Sequence, residues 1–112
     1  MADSRRLMSR TILSLEGEHM SSIIRRKMPM VERLAGLAEE ACELAQAALK
    51  LRRVFDGTNP TPKREEDAID DLIEEIADVN LYLSIIDYSK CEVDRIMKQK
   101  KERWERRLED LE

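Results

Sequence analysis

The chain has 112 residues and a formal net charge of −4, with 42% hydrophobic and 39% charged residues. This length predicts a single domain, spanning 1–112, whose modest core would gain from oligomerisation. The acidic balance excludes a general electrostatic attraction to nucleic acid or to an anionic membrane. Because the sequence has neither a bilayer-length apolar run nor a signal-type N-terminal stretch, we expect a cytoplasmic protein that binds no membrane and no nucleic acid.

Hydrophobic periodicity predicts four helices, roughly at 5–26, 29–55, 62–88 and 90–110. Pro29 disfavours helix at the residue before it and suits the first turn of the second helix. Gly57 is a suitable C-terminal cap for that helix. Thr61 followed by Pro62 predicts the start of the third helix, and Ser89 begins a capping-box pattern before the fourth.

The second and third helices are predicted to pack side by side. The apolar stripe of the second helix, taken as its buried face, consists of Leu34, Leu37, Ala41, Leu44, Ala48 and Leu51. The third helix is apolar nearly all round between Val79 and Ile86, which is more than one covered face requires. No strand pattern is present, so the predicted class is all-α, an antiparallel four-helix bundle.

Each of these two helices carries acidic residues three positions apart, Glu40 with Glu43 and Glu75 with Asp78. A helix turns about 100° per residue, so each pair lies on one helix face. If the helices pack side by side, four like charges converge and repel one another. The simplest way to offset this repulsion is a hard divalent cation, such as Mg²⁺, bound between the carboxylates.

The alternative is that these acids are ordinary solvated residues, since acidic residues take 24 of the 112 positions. The neighbouring residues favour a metal site, because Leu37 and Leu44 flank Glu40, and Leu72 and Val79 flank Glu75. Carboxylates placed at the border of an apolar face are only partly in water. The acids predicted to be solvated are Glu39, Asp67, Asp71 and Glu74.

The fourth helix is strongly basic, and Lys100 and Arg103 share one of its faces. One interpretation is a solvated, salt-bridged surface with cations near the helix C-terminus. The other combines these bases with the acidic clusters, because a polyphosphate substrate requires acids to hold a metal and bases to hold phosphate oxygens. Lys50, near the end of the second helix, is a further candidate for the same substrate.

The two acidic motifs together resemble the all-alpha nucleoside triphosphate pyrophosphohydrolases, the MazG-like superfamily, and most closely its small phage and prophage members. The resemblance covers roughly 32–108. It rests on Glu39-Glu40-x-x-Glu43, Lys50-Leu51-Arg52-Arg53, Asp56-Gly57, Asn59-Pro60-Thr61-Pro62, Glu74-Glu75-Ile76-Ala77-Asp78-Val79 and Lys100-x-x-Arg103-Trp104-x-x-Arg107-Leu108.

The resemblance implies Mg²⁺-dependent hydrolysis of a nucleoside triphosphate to a monophosphate and pyrophosphate, in a homodimer or homotetramer, with Mn²⁺ as an alternative metal. The metal ligands that it implies are Glu40, Glu43, Glu75 and Asp78. Glu39 is a candidate base, and the implied substrate-binding residues are Lys50, Lys100 and Arg103. Relatives of the deoxycytidine-triphosphate type often have lysine and asparagine at the positions of Ile96 and Lys100. The resemblance therefore leaves the preferred nucleobase of the substrate open.

A different class of function is a non-catalytic helical interaction or assembly protein, whose acids and bases pair across a dimer. Such exposed pairs are each worth about 0.2–1 kcal/mol and need no metal. This hypothesis predicts salt-sensitive association without turnover. A di-iron bundle is excluded, because His19 is the only histidine and these bundles require two Glu-x-x-His motifs.

Overall fold

The computed structural model describes residues 22–59 and 63–112. These residues form α1 (Ser22–Lys27), α2 (Met30–Asp56), α3 (Glu65–Ser84) and α4 (Lys90–Asp110). They contain no strand, so the all-α class predicted from the sequence is confirmed for this part of the chain. The part of the first predicted helix that precedes Ser22 lies outside the described residues.

Local signals position both ends of α2. Pro29, with φ −58° and ψ 155°, immediately precedes the helix. Gly57 ends it in the left-handed region at φ 76°, where a side chain would be strained, and its N–H donates to the carbonyl of Arg53. The N–H of Thr58 donates to the same carbonyl at 3.0 Å, which completes the capping turn.

The predicted bounds of the third helix, 62–88, are wrong at both ends. Lys63 and Arg64 are not helical, and α3 begins at Glu65 with three acids in its first turn, where they favour the helix dipole. The helix ends at Ser84, because the chain then turns and buries Ile85 and Ile86, which are 3% and 7% exposed. This burial is a tertiary effect that helical periodicity does not report.

Helix α4 begins directly after the N-terminal cap that the sequence predicts. Ser89 accepts a hydrogen bond from the backbone N–H of Glu92 at 3.2 Å, as the capping-box pattern predicts. The helix spans the predicted 90–110. None of its residues is buried.

Helices α2 and α3 pack against each other and run antiparallel. Arg33 near the start of α2 contacts Ile85 beyond the end of α3, and Gly36 lies against Tyr82. The buried apolar residues are Ala47, Leu51, Ala68, Ile85 and Ile86.

The predicted buried stripe of α2 is confirmed only in part, because Leu51 is buried and Leu37 and Leu44 are half-buried while the other members are exposed. Leu34 is 47% exposed, and Ala41 and Ala48 are exposed as well. The buried residues of α2 are Arg33, Ala47 and Leu51. The packed face is therefore rotated toward the side of the helix that carries the acidic cluster.

The chain divides into two compact units. Of the described residues, one unit holds 22–59 and 63–86 with α1, α2 and α3, and the other holds 87–112 with α4. The single domain expected from the length stays a prediction. Among the described helices, none has the length and apolar character needed to cross a membrane.

Arg33 is a charged residue buried in the α2–α3 pair, with only 7% of its surface exposed. Its Nε donates to the carbonyl of Met28 at 3.0 Å and its Nη1 to the carbonyl of Ile85 at 2.5 Å. Both acceptors belong to turns at the ends of helices, whose carbonyls lack helical partners. The guanidinium thus links the turn before α2 to the end of α3.

Replacing Gly36 by alanine is expected to destabilise the α2–α3 pair. A Cβ at this position would lie 2.2 Å from Cε1 of Tyr82. Overpacking costs about 1–3 kcal/mol, which exceeds the roughly 1 kcal/mol that alanine gains in helix propensity. Urea denaturation should show a net loss for Gly36→Ala. In a Tyr82→Ala background the same change should stabilise, and stabilisation of the single variant would contradict this packing.

Candidate metal centre

Three carboxylates from two helices converge in the α2–α3 pair. Glu40 and Glu43 lie one turn apart on α2, and Glu75 projects from the antiparallel α3. One oxygen from each lies within 4.8 Å of the other two. Glu40 and Glu75 are half-buried and Glu43 is exposed. The cluster therefore borders the packed face and remains accessible from solvent.

Two oxygens of this cluster are buried without a hydrogen-bond partner. They are Oε2 of Glu40 and Oε2 of Glu75. Burying a carboxylate oxygen without a compensating interaction is unfavourable, and such atoms in a native protein call for an explanation. A cation held among the three carboxylates would supply the missing interaction.

The electrostatics of the cluster favour a cation. Burial, followed by the negative charge of Glu43 and a side-chain hydrogen bond with Glu43, raises the pKa of Glu40, and the charge of Asp78 adds to this. The pKa of Glu75 is raised for the same two main reasons, burial first and then Glu43. In both residues the anionic form is disfavoured by the fold, and a bound cation would reverse this effect.

A pocket of about 270 Å³ adjoins the cluster. Its lining residues are Glu43, Gln46, Ala47, Lys50, Ala68, Asp71 and Glu75. Glu43, Glu75 and Lys50 therefore border one cavity. This juxtaposition of acid and base is the arrangement that a metal-bound phosphate group requires.

Asp78 and Glu39, also predicted as site residues, occupy different positions. Asp78 is half-buried on α3, and its charge contributes to the raised pKa of Glu40. It does not belong to the group of three oxygens found within the described residues. Glu39 is exposed on α2. The roles of Asp78 as a ligand and of Glu39 as a base stay predictions.

Lys100 and Arg103 lie exposed on α4, in the unit formed by residues 87–112. The carboxylates lie in the other unit. The predicted phosphate contacts of this basic pair therefore stay a prediction, whereas Lys50 shares a pocket with Glu43 and Glu75.

Asp71, predicted to be a solvated acid, has 49% of its side chain exposed but also forms an ion pair, and Gln46 is a pocket residue that the sequence motifs do not assign. Asp71 is half-buried, lines the pocket, and its Oδ2 lies 2.6 Å from Nζ of Lys63. Helical spacing could have identified both residues. Asp71 precedes Glu75 by one turn, and Gln46 lies between Glu43 and Lys50 on the same face of α2.

Comparison of the chain with protein-family models, with curated proteins and with solved structures found no match. The resemblance to the MazG-like superfamily therefore stays a prediction, carried by the sequence motifs.

Without metal, the wild-type chain is expected to lose stability relative to Glu75→Gln as pH rises. A carboxyl whose pKa is higher in the folded state than in the unfolded state costs no stability below the unfolded pKa. Above the unfolded pKa it lowers the free energy of unfolding, and this loss grows with pH until it levels off above the folded pKa. Glu75 is such a group, raised above its ordinary 4.5, whereas glutamine stays neutral.

Thermal melts in EDTA from about pH 4 to about pH 8 test this pH dependence. The melting temperature of Glu75→Gln should exceed that of wild type by a margin that widens with pH, and Mg²⁺ should close the margin. A constant margin would show that the carboxyl titrates normally.

Proposed function

We propose that this protein is a Mg²⁺-dependent nucleoside triphosphate pyrophosphohydrolase, which converts a ribo- or deoxyribonucleoside triphosphate to the monophosphate and pyrophosphate. The observation that carries the proposal is the convergence of Glu40, Glu43 and Glu75, with two buried oxygens that lack partners. Lys50, which lines the adjoining pocket, is a candidate contact for the phosphate oxygens of a substrate.

The donor set fits a hard divalent cation. Carboxylate oxygens are the ligands that Mg²⁺ prefers, and Mn²⁺ accepts the same ligands. Glu40, Glu43 and Glu75 would hold the ion, with Asp78 as the fourth proposed ligand. When bound, it would neutralise phosphate oxygens and make a water molecule more acidic.

The other candidate site residues can be given roles in the reaction. In the reaction, the oxygen of a water molecule attacks the α-phosphorus, the bond from that phosphorus to the bridging oxygen breaks, and pyrophosphate leaves. Glu39 is the candidate that accepts the proton of the water. Lys50 would bind phosphate oxygens from the pocket side, and Lys100 and Arg103 would do so from α4.

We also infer that the chain forms an antiparallel four-helix bundle of the MazG-like type that assembles as a homodimer or homotetramer. This is supported by large apolar side chains exposed on α3, among them Ile73 at 59% and Leu81 at 57%. Burial of these side chains against a second copy would remove apolar surface from water. The solution mass measured by light scattering should be two or four times the 13.1 kDa of the chain.

The same exposed apolar surface favours the second candidate, a non-catalytic assembly protein. In that protein the acids and bases would pair between copies instead of holding metal and phosphate. It predicts association that weakens with salt, and no turnover.

A panel of canonical and modified nucleoside triphosphates, incubated with the protein in ¹⁸O-water, separates the two candidates. We expect pyrophosphate release that requires Mg²⁺ or Mn²⁺ and stops with EDTA, with the heavy oxygen in the monophosphate product. Release of inorganic phosphate and a diphosphate would contradict attack at the α-phosphorus. No release across the panel, from folded and oligomeric protein, would favour the assembly protein.

A further inference from the structure

An ion pair lies at the edge of the pocket beside the carboxylate cluster. Lys63 lies two residues before the start of α3, and its Nζ is 2.6 Å from Oδ2 of Asp71. Asp71 lines the pocket that also borders Glu43 and Lys50. The two paired side chains are 32% and 49% exposed, so the pair lies neither in the core nor fully in solvent. The ammonium is thus held at the edge of the candidate substrate pocket.

The charges around this pocket leave a surplus of negative charge. The carboxylates that converge in the cluster or line the pocket are Glu40, Glu43, Asp71 and Glu75. One divalent cation and Lys50 do not balance four carboxylates, and a triphosphate would add further negative charge. Since like charges repel, a further cation close to the pocket would favour the binding of a polyphosphate.

We propose that Lys63 is a substrate-binding residue of this pocket, which Asp71 holds at the edge and which turns to the phosphate oxygens when a nucleoside triphosphate enters. This inference rests on the proposed pyrophosphohydrolase function and adds a residue that the sequence motifs do not assign. A lysine suits the task, because its flexible stem and three N–H donors can be redirected without a change in the backbone. The hydrogen bond that Lys63 donates to Asp71, together with the negative charge of Asp71, also raises the pKa of Lys63, so the ammonium stays charged at neutral pH.

A purely structural role is the alternative, in which the ion pair fastens the segment before α3 to that helix. Partly exposed ion pairs of this kind contribute little to stability. Loss of the pair would then change the melting temperature slightly and leave substrate binding unchanged. Kinetic measurements distinguish this role from phosphate binding.

The experiment compares three variants of the full chain. Lys63→Gln removes the charge, and Lys63→Arg keeps a cation that can donate to phosphate. Arg64→Gln is the matched control, because it removes the same charge from the next residue and also breaks an ion pair, Arg64 with Glu66 at 2.7 Å. The readouts are KM and kcat with the Mg²⁺–nucleotide substrate, and the inhibition constant of pyrophosphate.

For Lys63→Gln we expect KM and the inhibition constant of pyrophosphate to rise roughly tenfold or more, as for the loss of a hydrogen bond from a charged donor. The kcat value should stay within about twofold, because binding rather than the chemical step is affected. Lys63→Arg should keep most of the affinity, and Arg64→Gln should behave as wild type.

Two results would overturn the assignment of Lys63, and they are distinguishable. If the wild type hydrolyses nucleotides while Lys63→Gln matches Arg64→Gln in KM and pyrophosphate inhibition, Lys63 is structural and the proposed function stands. If folded wild type shows no turnover, the proposed function fails, and the role of Lys63 in it fails too.

Discussion

Glu43→Gln is expected to lower kcat/KM for pyrophosphate release by roughly a thousandfold or more. A divalent ion supplies several kcal/mol of transition-state stabilisation, and each 1.36 kcal/mol is about tenfold in rate. Glu43 is the exposed member of the three converging carboxylates and also borders the pocket. Its loss removes a ligand on the side from which substrate enters.

The same substitution should not unfold the protein. Glu43 raises the pKa of both Glu40 and Glu75 by repulsion, so its neutralisation relieves strain between like charges. The melting temperature of the metal-free variant should therefore equal or exceed that of wild type. If Glu43→Gln loses activity but keeps its stability, Glu43 acts as a metal ligand and not as a packing residue.

Glu74→Gln is the matched control for this loss of activity. It makes the same chemical change on an exposed residue of α3, next to Glu75 but outside the group of three. Its activity should stay near that of wild type. If Glu43→Gln retained metal-dependent activity within about tenfold of Glu74→Gln, Glu43 would not be a metal ligand.

Arg33→Met is expected to cost about 2–4 kcal/mol of unfolding free energy. The buried guanidinium donates to the carbonyls of Met28 and Ile85. A buried acceptor left without a partner costs about 1–3 kcal/mol. Methionine keeps most of the side-chain volume, so the effect reports the lost hydrogen bonds rather than a cavity.

Urea denaturation, followed by far-ultraviolet circular dichroism, measures this effect on stability. Arg26→Met is the control, because Arg26 is exposed on α1 and loses the same charge. Its stability should change by no more than about 0.5 kcal/mol. Equal stabilities of the two variants would contradict a structural role for the buried guanidinium.

Local signals in the sequence located several element ends correctly. Pro29, Gly57 and Ser89 act through their own backbone and hydrogen-bonding properties, so neighbouring residues suffice to interpret them. The ends of α3 depend instead on long-range packing. Helix α3 ends where Ile85 enters the core, and the residues next to Ile85 in the sequence do not indicate this burial.

The candidate site was predictable to the extent that helical spacing determines it. The motifs placed Glu40, Glu43 and Glu75 near one another, and their oxygens converge in the structure. Asp78 also has the helical spacing of a ligand. Which acids come close to one another depends on how the two helices pack, and spacing within one helix does not determine this. Metal binding by these residues stays a prediction.

Charged residues inside the packed pair were the hardest to predict. Arg33 looks like a surface residue in the sequence, because its two backbone acceptors are known only once the chain has folded. The ion pair between Asp71 and Lys63 is not predictable from helical spacing either, because Lys63 precedes α3 and lies outside the helical pattern.

Binding of Mn²⁺, followed by electron paramagnetic resonance, tests most directly whether the three carboxylates form a metal site. Titration of wild type should show Mn²⁺ that loses its free-ion signal, is displaced by Mg²⁺, and is bound more weakly as pH falls. Glu43→Gln should abolish this binding and Glu74→Gln should retain it. Equal binding by both variants, or no binding by wild type, would contradict a metal centre at Glu40, Glu43 and Glu75.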